Sequence, residues 1–146
     1  LLATVTAAAA GAVISGGSSD PWYAALSKPF LTPPDVMFAL VWPILFVLMA
    51  AGALLVLDRA GSFERAVSPL GLYYSMLVFN AGWSLAFFGM NEVALALGIL
   101  VALWLLIVAM MQDFWRYSHL AALLQIPYLV WISFAGYLNA YILFTN

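Results

Sequence analysis

The charged side chains of this chain stand almost entirely between long stretches that carry no charge at all. Four basic and six acidic residues are present. Asp, Glu, Lys and Arg are absent from residues 1–19, 36–57, 66–91, 93–112 and 117–146. A helix needs about 20 apolar residues to cross about 30 Å of hydrocarbon. The pattern therefore predicts five membrane-spanning helices.

Composition predicts the same class and excludes several functions. Hydrophobic residues make up 67% of the chain and charged residues 7%, with a mean hydropathy of +1.10, whereas soluble domains carry about 25% charged residues. The absence of cysteine excludes disulfides, thiolate catalysis and cysteine-ligated metals. A net charge of -2 without a basic run argues against nucleic acid as a partner. We expect an all-α integral membrane protein in contact with the lipid bilayer.

The spans fit one five-helix domain over residues 1–146. The turn Gly89-Met90-Asn91 is so short that the third and fourth spans must be antiparallel neighbours. We place the spans at about 1–16, 36–57, 69–89, 92–112 and 119–144.

Basic residues predict the orientation of the bundle. Arg59, Arg65 and Arg116 fall on one side of the membrane, and Lys28 falls on the other. The positive-inside rule then favours an N-terminus inside and a C-terminus outside. The first span has no basic region ahead of it, so it does not resemble a signal peptide. The chain opens at Leu1 without Met, and we expect the natural N-terminus to lie upstream.

The first connection, residues 17–35, is longer than a simple helical anchor requires. Trp22, Tyr23 and Phe30 have the amphipathic character of a membrane-interface belt. Pro21 can start a short helix, but Pro29, Pro33 and Pro34 prevent a long one. Either an interfacial aromatic anchor or an ordered lid over one end of the bundle agrees with this composition.

Aromatic residues on two spans predict a pocket between helices. Trp42 and Phe46 are four residues apart on the second span, so they share a helical face. Tyr128, Trp131 and Ala135 share a face of the fifth span in the same way. Such stripes are commonly packing surfaces, but two aromatic faces with a small residue between them could also sandwich a flat ring.

Three side-chain amides lie within the predicted spans. Asn80, Gln125 and Asn139 must face inward, because an amide that faces hydrocarbon is costly unless it is paired. They can form hydrogen bonds between helices, and Asn80, with Trp83 three residues on, can also contribute polar contacts to a cavity. Pro43 and Pro127 predict kinks within the second and fifth spans.

Three separated blocks of residues carry a resemblance to a known family. They are Trp22-Tyr23-x-x-Leu26-x-Lys28-Pro29-x-x-x-Pro33-Pro34-x-x-x-Phe38-x-x-x-Trp42-x-x-Leu45-Phe46, Phe79-Asn80-x-x-Trp83-x-x-x-Phe87-Phe88-Gly89 and Pro127-Tyr128-Leu129-Val130-Trp131-x-x-Phe134-Ala135-x-x-Leu138-Asn139. In this order they resemble the translocator protein family, also called TspO or tryptophan-rich sensory proteins. The resemblance covers nearly the whole chain.

The resemblance implies a five-helix membrane protein that binds a tetrapyrrole, such as a porphyrin or a haem intermediate, and in some members a sterol. The first connection would close the pocket. No cofactor would be required, and the porphyrin or haem would be bound as a ligand. Bacterial members form homodimers and lie in the cell membrane, whereas eukaryotic members lie in the mitochondrial outer membrane. Together with the residues above, it implies a ligand site formed by Trp22, Tyr23, Pro33, Trp42, Phe46, Asn80, Trp83, Phe87, Tyr128, Trp131, Ala135 and Asn139.

Three function classes remain open. The first is a binding protein for sensing, sequestration or transfer of tetrapyrroles. The second is an enzyme in which Trp42 and Trp131 take part in light- and oxygen-dependent porphyrin breakdown, as proposed for some family members. The third is a transporter, for which no coupling-ion site or nucleotide motif is evident.

Other chemistries are missing from the sequence. No acidic or basic residue lies deep in a span, so a proton-coupled antiporter would lack its carboxylate. His119 is the only histidine, and a lone interfacial histidine is seldom a haem ligand. We expect no metal site. The sterol-associated pattern expected near Tyr141 lacks its cation, which places sterols below porphyrins as expected ligands.

Overall fold

The computed structural model describes the backbone from Asp35 to Asn146 and the side chains from Leu40 onward. All regular structure in this part of the chain is helical, as predicted. The first predicted span and the candidates Trp22, Tyr23 and Pro33 lie outside the described residues. The helices are α1 (Asp35–Ala60), α2 (Val67–Ser84) with a π-helical turn (Leu85–Gly89), α3 (Val93–Trp115), α4 (His119–Leu123) and α5 (Ile126–Thr145).

Three helical stretches in the described residues are long and apolar enough to cross a membrane. They are Leu40–Ala60, Val93–Trp115 and His119–Thr145, with mean hydropathies of 2.6, 2.9 and 1.5. α2 is not among them; it is 18 residues long and includes two adjacent tyrosines and Asn80. Its π-helical continuation extends the helical path to Gly89, where the third predicted span ends.

The fifth predicted span is one helical stretch, His119–Thr145, interrupted by a short turn between α4 and α5. The sequence predicts a kink at Pro127, and the turn lies next to this residue. There the backbone N–H of Gln125 donates to the carbonyl of Ala122, three residues back, at 3.0 Å. The side-chain Nε2 of Gln125 donates to the carbonyl of Ala121 at 3.3 Å. The side chain of Gln125 thus replaces the usual backbone hydrogen bond to the carbonyl four residues back. Pro127 has no N–H that could donate to the carbonyl of Leu123.

α2 and α3 form the antiparallel hairpin that the short turn predicts. The N–H of Met90 donates to the carbonyl of Leu85, and that of Glu92 to Ala86, each at 2.8 Å. Asn91 has a φ of 56°, a left-handed conformation that asparagine tolerates better than most residues. α5 packs along α3, and the short α4 packs against α3 and α1.

Apolar side chains cover the outside of the bundle as well as its core. The core contains Met49, Met76 and Ile107, which are fully buried. Val47 and Val78 are nevertheless each 67% exposed on the outer surface. In a chain with these helices, such exposed residues are the expected contact surface for lipid.

Polar contacts join α2 and α3 at the end of the bundle where α1 and α3 both end. We call it the basic end. The carboxylate of Asp113 accepts from the hydroxyl of Ser68 and pairs with Arg116 at 2.9 Å. The hydroxyl of Tyr117 donates to the carbonyl of Arg65 at 3.0 Å. These contacts tie the start of α2 to the end of α3.

Candidate functional site

Four predicted site residues from α1 and α5 form one aromatic cluster. The ring of Trp42 lies 5.7 Å from Phe46, 6.3 Å from Tyr128 and 6.2 Å from Trp131, measured between ring centroids. The helical spacing in the sequence explains this meeting, because each helix presents its aromatic residues on one face. Tyr128 is buried, whereas the other three rings are partly exposed. We call these four residues the aromatic cluster.

The cluster does not leave a slot between its two tryptophans. The ring planes of Trp42 and Trp131 make an angle of 85°, an edge-to-face contact, and a favourable one for aromatic pairs. A flat ring does not fit between two rings that already touch. A ligand would instead have to lie against the partly exposed surfaces of the cluster.

Asn80 connects α2 to the aromatic cluster. Its Nδ2 donates a hydrogen bond to the hydroxyl of Tyr128, and both residues are buried. A buried phenol without a partner would be costly. The amide therefore holds Tyr128 in place against Trp42, and Asn80 faces inward as the sequence predicted.

Asn139 joins three helices through one side-chain amide. Its Oδ1 accepts from the indole Nε1 of Trp83 on α2 at 2.9 Å. Its Nδ2 donates to the carbonyl of Val93 at the start of α3 at 3.0 Å. Asn139 is 1% exposed, so these bonds satisfy polar groups that have almost no access to solvent. The predicted inward position of Asn139 is confirmed.

Trp83 belongs to a second aromatic group at the π-helical turn. Its ring stacks on Phe87 with centroids 5.3 Å apart and an interplanar angle of 23°. Phe88 approaches both rings edge-on, at 6.2 Å from Trp83 and 4.9 Å from Phe87. Trp83 also packs against the main core that contains Tyr128. Trp83 therefore connects the second aromatic group to the main core.

One further site candidate, Ala135, and two aromatic residues that were not predicted lie beside these groups. Ala135 packs against the main core, as a small residue on the cluster side of α5. Phe134, which the site prediction omitted, lies 6.3 Å from Trp131, and Phe88 was omitted from the second group. Both occur in the sequence blocks that carry the family resemblance, which is the signal that could have added them.

A close contact between α1 and the helix break was not predicted. A methyl group added at Gly52 would lie 2.2 Å from Nε2 of Gln125 and 3.0 Å from the carbonyl oxygen of Ala121. Gln125 is completely buried, and its Oε1 has no hydrogen-bond partner in the described structure. Only glycine allows α1 to approach the break this closely.

His119 and the acidic residues do not form a metal centre in the described part of the chain. No group of three histidine or acidic side chains comes together there. The His119 ring stacks on Trp115 with centroids 3.7 Å apart, at the basic end of the bundle. His119 thus lies at the start of α4, whereas the residues of the aromatic cluster lie on α1 and α5.

Known proteins of bacteria and animals resemble this chain over most of its length. The chain is 39% identical to the tryptophan-rich protein TspO of Chlorobaculum tepidum over 94% of this chain and 87% of that protein. It is 36% identical to the protein CrtK of Rhodobacter capsulatus, covering 94% and 84% of the two chains. It is 37% identical to the translocator protein of Bos taurus, covering 88% and 77%. The model of the TspO/MBR family matches residues 1–145, and the chain belongs to this family of integral membrane proteins.

Proposed function

We propose that this protein is a membrane receptor or translocator that binds tetrapyrroles against the aromatic cluster. The observation that supports the proposal most directly is the meeting of Trp42, Phe46, Tyr128 and Trp131 between α1 and α5. Tryptophan and tyrosine provide large, flat contact areas with little loss of side-chain entropy. A porphyrin matches such a surface because its macrocycle is itself large, flat and aromatic.

The buried amides have a supporting role in this proposal. Asn80 donates to Tyr128, and Asn139 contacts Trp83 and the Val93 carbonyl. The bond to Tyr128 fixes the buried ring against which Trp42 packs, so a ligand would meet a preorganised surface and lose less conformational entropy on binding. The names of relatives, which include a sensory protein and translocator proteins, support sensing or transfer as the outcome of binding.

A dark titration of the detergent-purified protein with protoporphyrin IX tests the proposal. We expect saturable quenching of tryptophan fluorescence, since Trp42 and Trp131 would lie next to the ligand. Trp104 and Trp115 are on outer positions, and replacing either one by phenylalanine is the control, which should leave the saturable quenching in place. Quenching that rises linearly without saturation would contradict the tetrapyrrole proposal and leave sterols or other lipids as the candidate ligands.

Porphyrin breakdown is the alternative, because the edge-to-face contact joins two redox-active indoles at the proposed site. If the protein degrades porphyrin in light and oxygen, Trp131→Phe is expected to reduce product formation far more than binding. The phenylalanine keeps an aromatic surface but removes the readily oxidised indole. Absorption spectra of illuminated samples measure product, and dark titrations measure affinity. Equal losses of both would favour a binding role alone.

We further propose a homodimer that uses the outer face of α2. Gly71 has no neighbouring atom within 4 Å of a methyl group added there, whereas such a group at Gly82 would contact Ile99 of α3. Gly82 therefore serves packing within the chain, and Gly71 and Ser75 remain as small residues on the exposed side. Small residues allow close helix approach in lipid.

Gly71→Leu is expected to weaken this association by about tenfold, because a bulky side chain separates the two backbones. Analytical ultracentrifugation in detergent over a range of concentrations measures the change. Gly98→Leu on the outer face of α3, where there is also no neighbour within 4 Å, is the matched control. If both variants dissociate alike, or neither does, the α2 face is not the interface.

A further inference from the structure

An open groove of about 380 Å³ lies at the basic end of the bundle, where α1 ends. It belongs to neither aromatic group. Its apolar walls are Leu54, Leu57 and Phe63, and Leu54 and Phe63 are 47% and 66% exposed. The remaining lining residues are Asp58, Gly61 and Ser62. Gly61 has a φ of 88° and ends the helix without a side chain that would fill the groove.

The polar and apolar parts of the groove are ordered along α1. Leu54 lies one helical turn deeper in the bundle than Asp58, and Ser62 follows in the turn beyond the helix. An occupant that runs along the groove would therefore place an apolar chain toward the bilayer centre. Its polar group would lie at the membrane surface. This is the arrangement of a phospholipid in its leaflet.

Charge at the groove favours a primary ammonium group. Asp58 is the only charged residue among the described lining residues, and it forms no ion pair with another residue of this part of the chain. It also lies in the last turn of α1, where the helix dipole favours cations. An ammonium group can donate three hydrogen bonds to such acceptors, whereas a trimethylated choline can donate none.

A cation stands beside this acidic position. A methyl group added at Gly61 would lie 4.0 Å from a guanidinium nitrogen of Arg65, so that side chain reaches the edge of the groove. Arg65 can contact a phosphate while Asp58 contacts an ammonium group. The paired charges thus complement a zwitterionic headgroup that carries both groups close together.

We propose that this groove binds one molecule of phosphatidylethanolamine, with the ammonium on Asp58, the phosphate toward Arg65 and an acyl chain over Leu54, Leu57 and Phe63. The inference concerns a site separate from the aromatic cluster and does not require tetrapyrrole binding. A structural phospholipid at this position would tie the end of α1 to the surrounding leaflet.

Native mass spectrometry tests the proposal on protein equilibrated with equal amounts of phosphatidylethanolamine, phosphatidylcholine and phosphatidylglycerol. We expect the wild-type protein to retain phosphatidylethanolamine preferentially. Asp58→Asn should reduce that preference by about fivefold, the size expected for an exposed charge pair. Glu64→Gln is the matched control, because Glu64 is an exposed acid at the same end that does not line the groove. It should retain lipid as the wild type does.

A second variant separates loss of the headgroup contact from loss of the fold. Leu54→Trp fills the apolar part of the groove and should lower retention of phosphatidylethanolamine while the helical content and melting temperature stay unchanged. Wild-type protein that retains the three lipids equally, or retains phosphatidylglycerol best, would overturn the proposal. An Asp58→Asn variant that keeps the wild-type preference would also overturn it.

Discussion

Gly52→Ala is expected to destabilise the detergent-solubilised protein by about 1 to 3 kcal/mol, the usual cost of overpacking a buried contact. The added methyl group would lie 2.2 Å from Nε2 of Gln125. That amide cannot simply move away, because Gln125 is fully buried and donates to the carbonyl of Ala121. The same methyl would lie 3.0 Å from that backbone oxygen. A thermal melt followed by circular dichroism measures the loss.

Two further variants identify the cause of this loss. Gln125→Ala removes the amide that the added methyl group meets. We therefore expect Gln125→Ala to lower the stability less in the Gly52→Ala background than in the wild type. Gly98→Ala adds the same methyl group to α3 where nothing lies within 4 Å, and should leave the melting temperature unchanged or slightly higher. Equal stability of Gly52→Ala and Gly98→Ala would show that the close approach at the helix break is unimportant.

Trp42→Ala is expected to weaken porphyrin binding by about 1 to 3 kcal/mol, the range for losing one stacked aromatic contact. Trp42 contacts each of the other three rings of the aromatic cluster, so its removal takes away the centre of the proposed binding surface. The porphyrin absorption band should be followed rather than protein fluorescence, because the substitution also removes a fluorophore.

The control for this substitution is a tryptophan outside the cluster. Trp104 is 38% exposed on α3, and its Nε1 donates to Ser133 at 2.9 Å. Trp104→Ala should leave porphyrin affinity unchanged. Affinity that is unaltered in Trp42→Ala would remove this residue from the site. A melting temperature measured in parallel identifies any part of the loss that comes from the cavity left in the bundle.

The helices were predictable where the cause is local. Uncharged stretches of sufficient length predicted α1, α3 and the α2–α3 hairpin, because each depends on hydropathy or on a short turn. Pro127 predicted a kink before α5, but the full geometry of the helix break there was not predicted. It depends on the Gln125 side chain replacing its own backbone bond, and on a neighbour at Gly52, which is 73 positions away and leaves no periodic signal in the sequence.

The site was predictable as a set of residues but not as a geometry. Helical spacing indicated that Trp42 and Trp131 would each share a face with other aromatic residues. It could not indicate that the two rings meet edge-on, because that depends on rotamers and on how the helices cross. Likewise, the sequence required a partner for Asn139 but could not identify the carbonyl of Val93, 46 residues away.

The helices around the proposed site are held together by different kinds of contact. Asn80 and Asn139 join α2, α3 and α5 by hydrogen bonds, whereas Trp42 of α1 meets Tyr128 and Trp131 of α5 through contacts between aromatic rings. Leu45 and Met49 also anchor α1 in the main core, and α1 lies closest to the turn before α5 at Gly52. The wall of the proposed site that carries Trp42 is therefore apolar, whereas buried hydrogen bonds join the helices opposite it. A flat molecule arriving from within the leaflet could exchange one set of aromatic contacts for another, while the three-helix unit opposite stays unchanged.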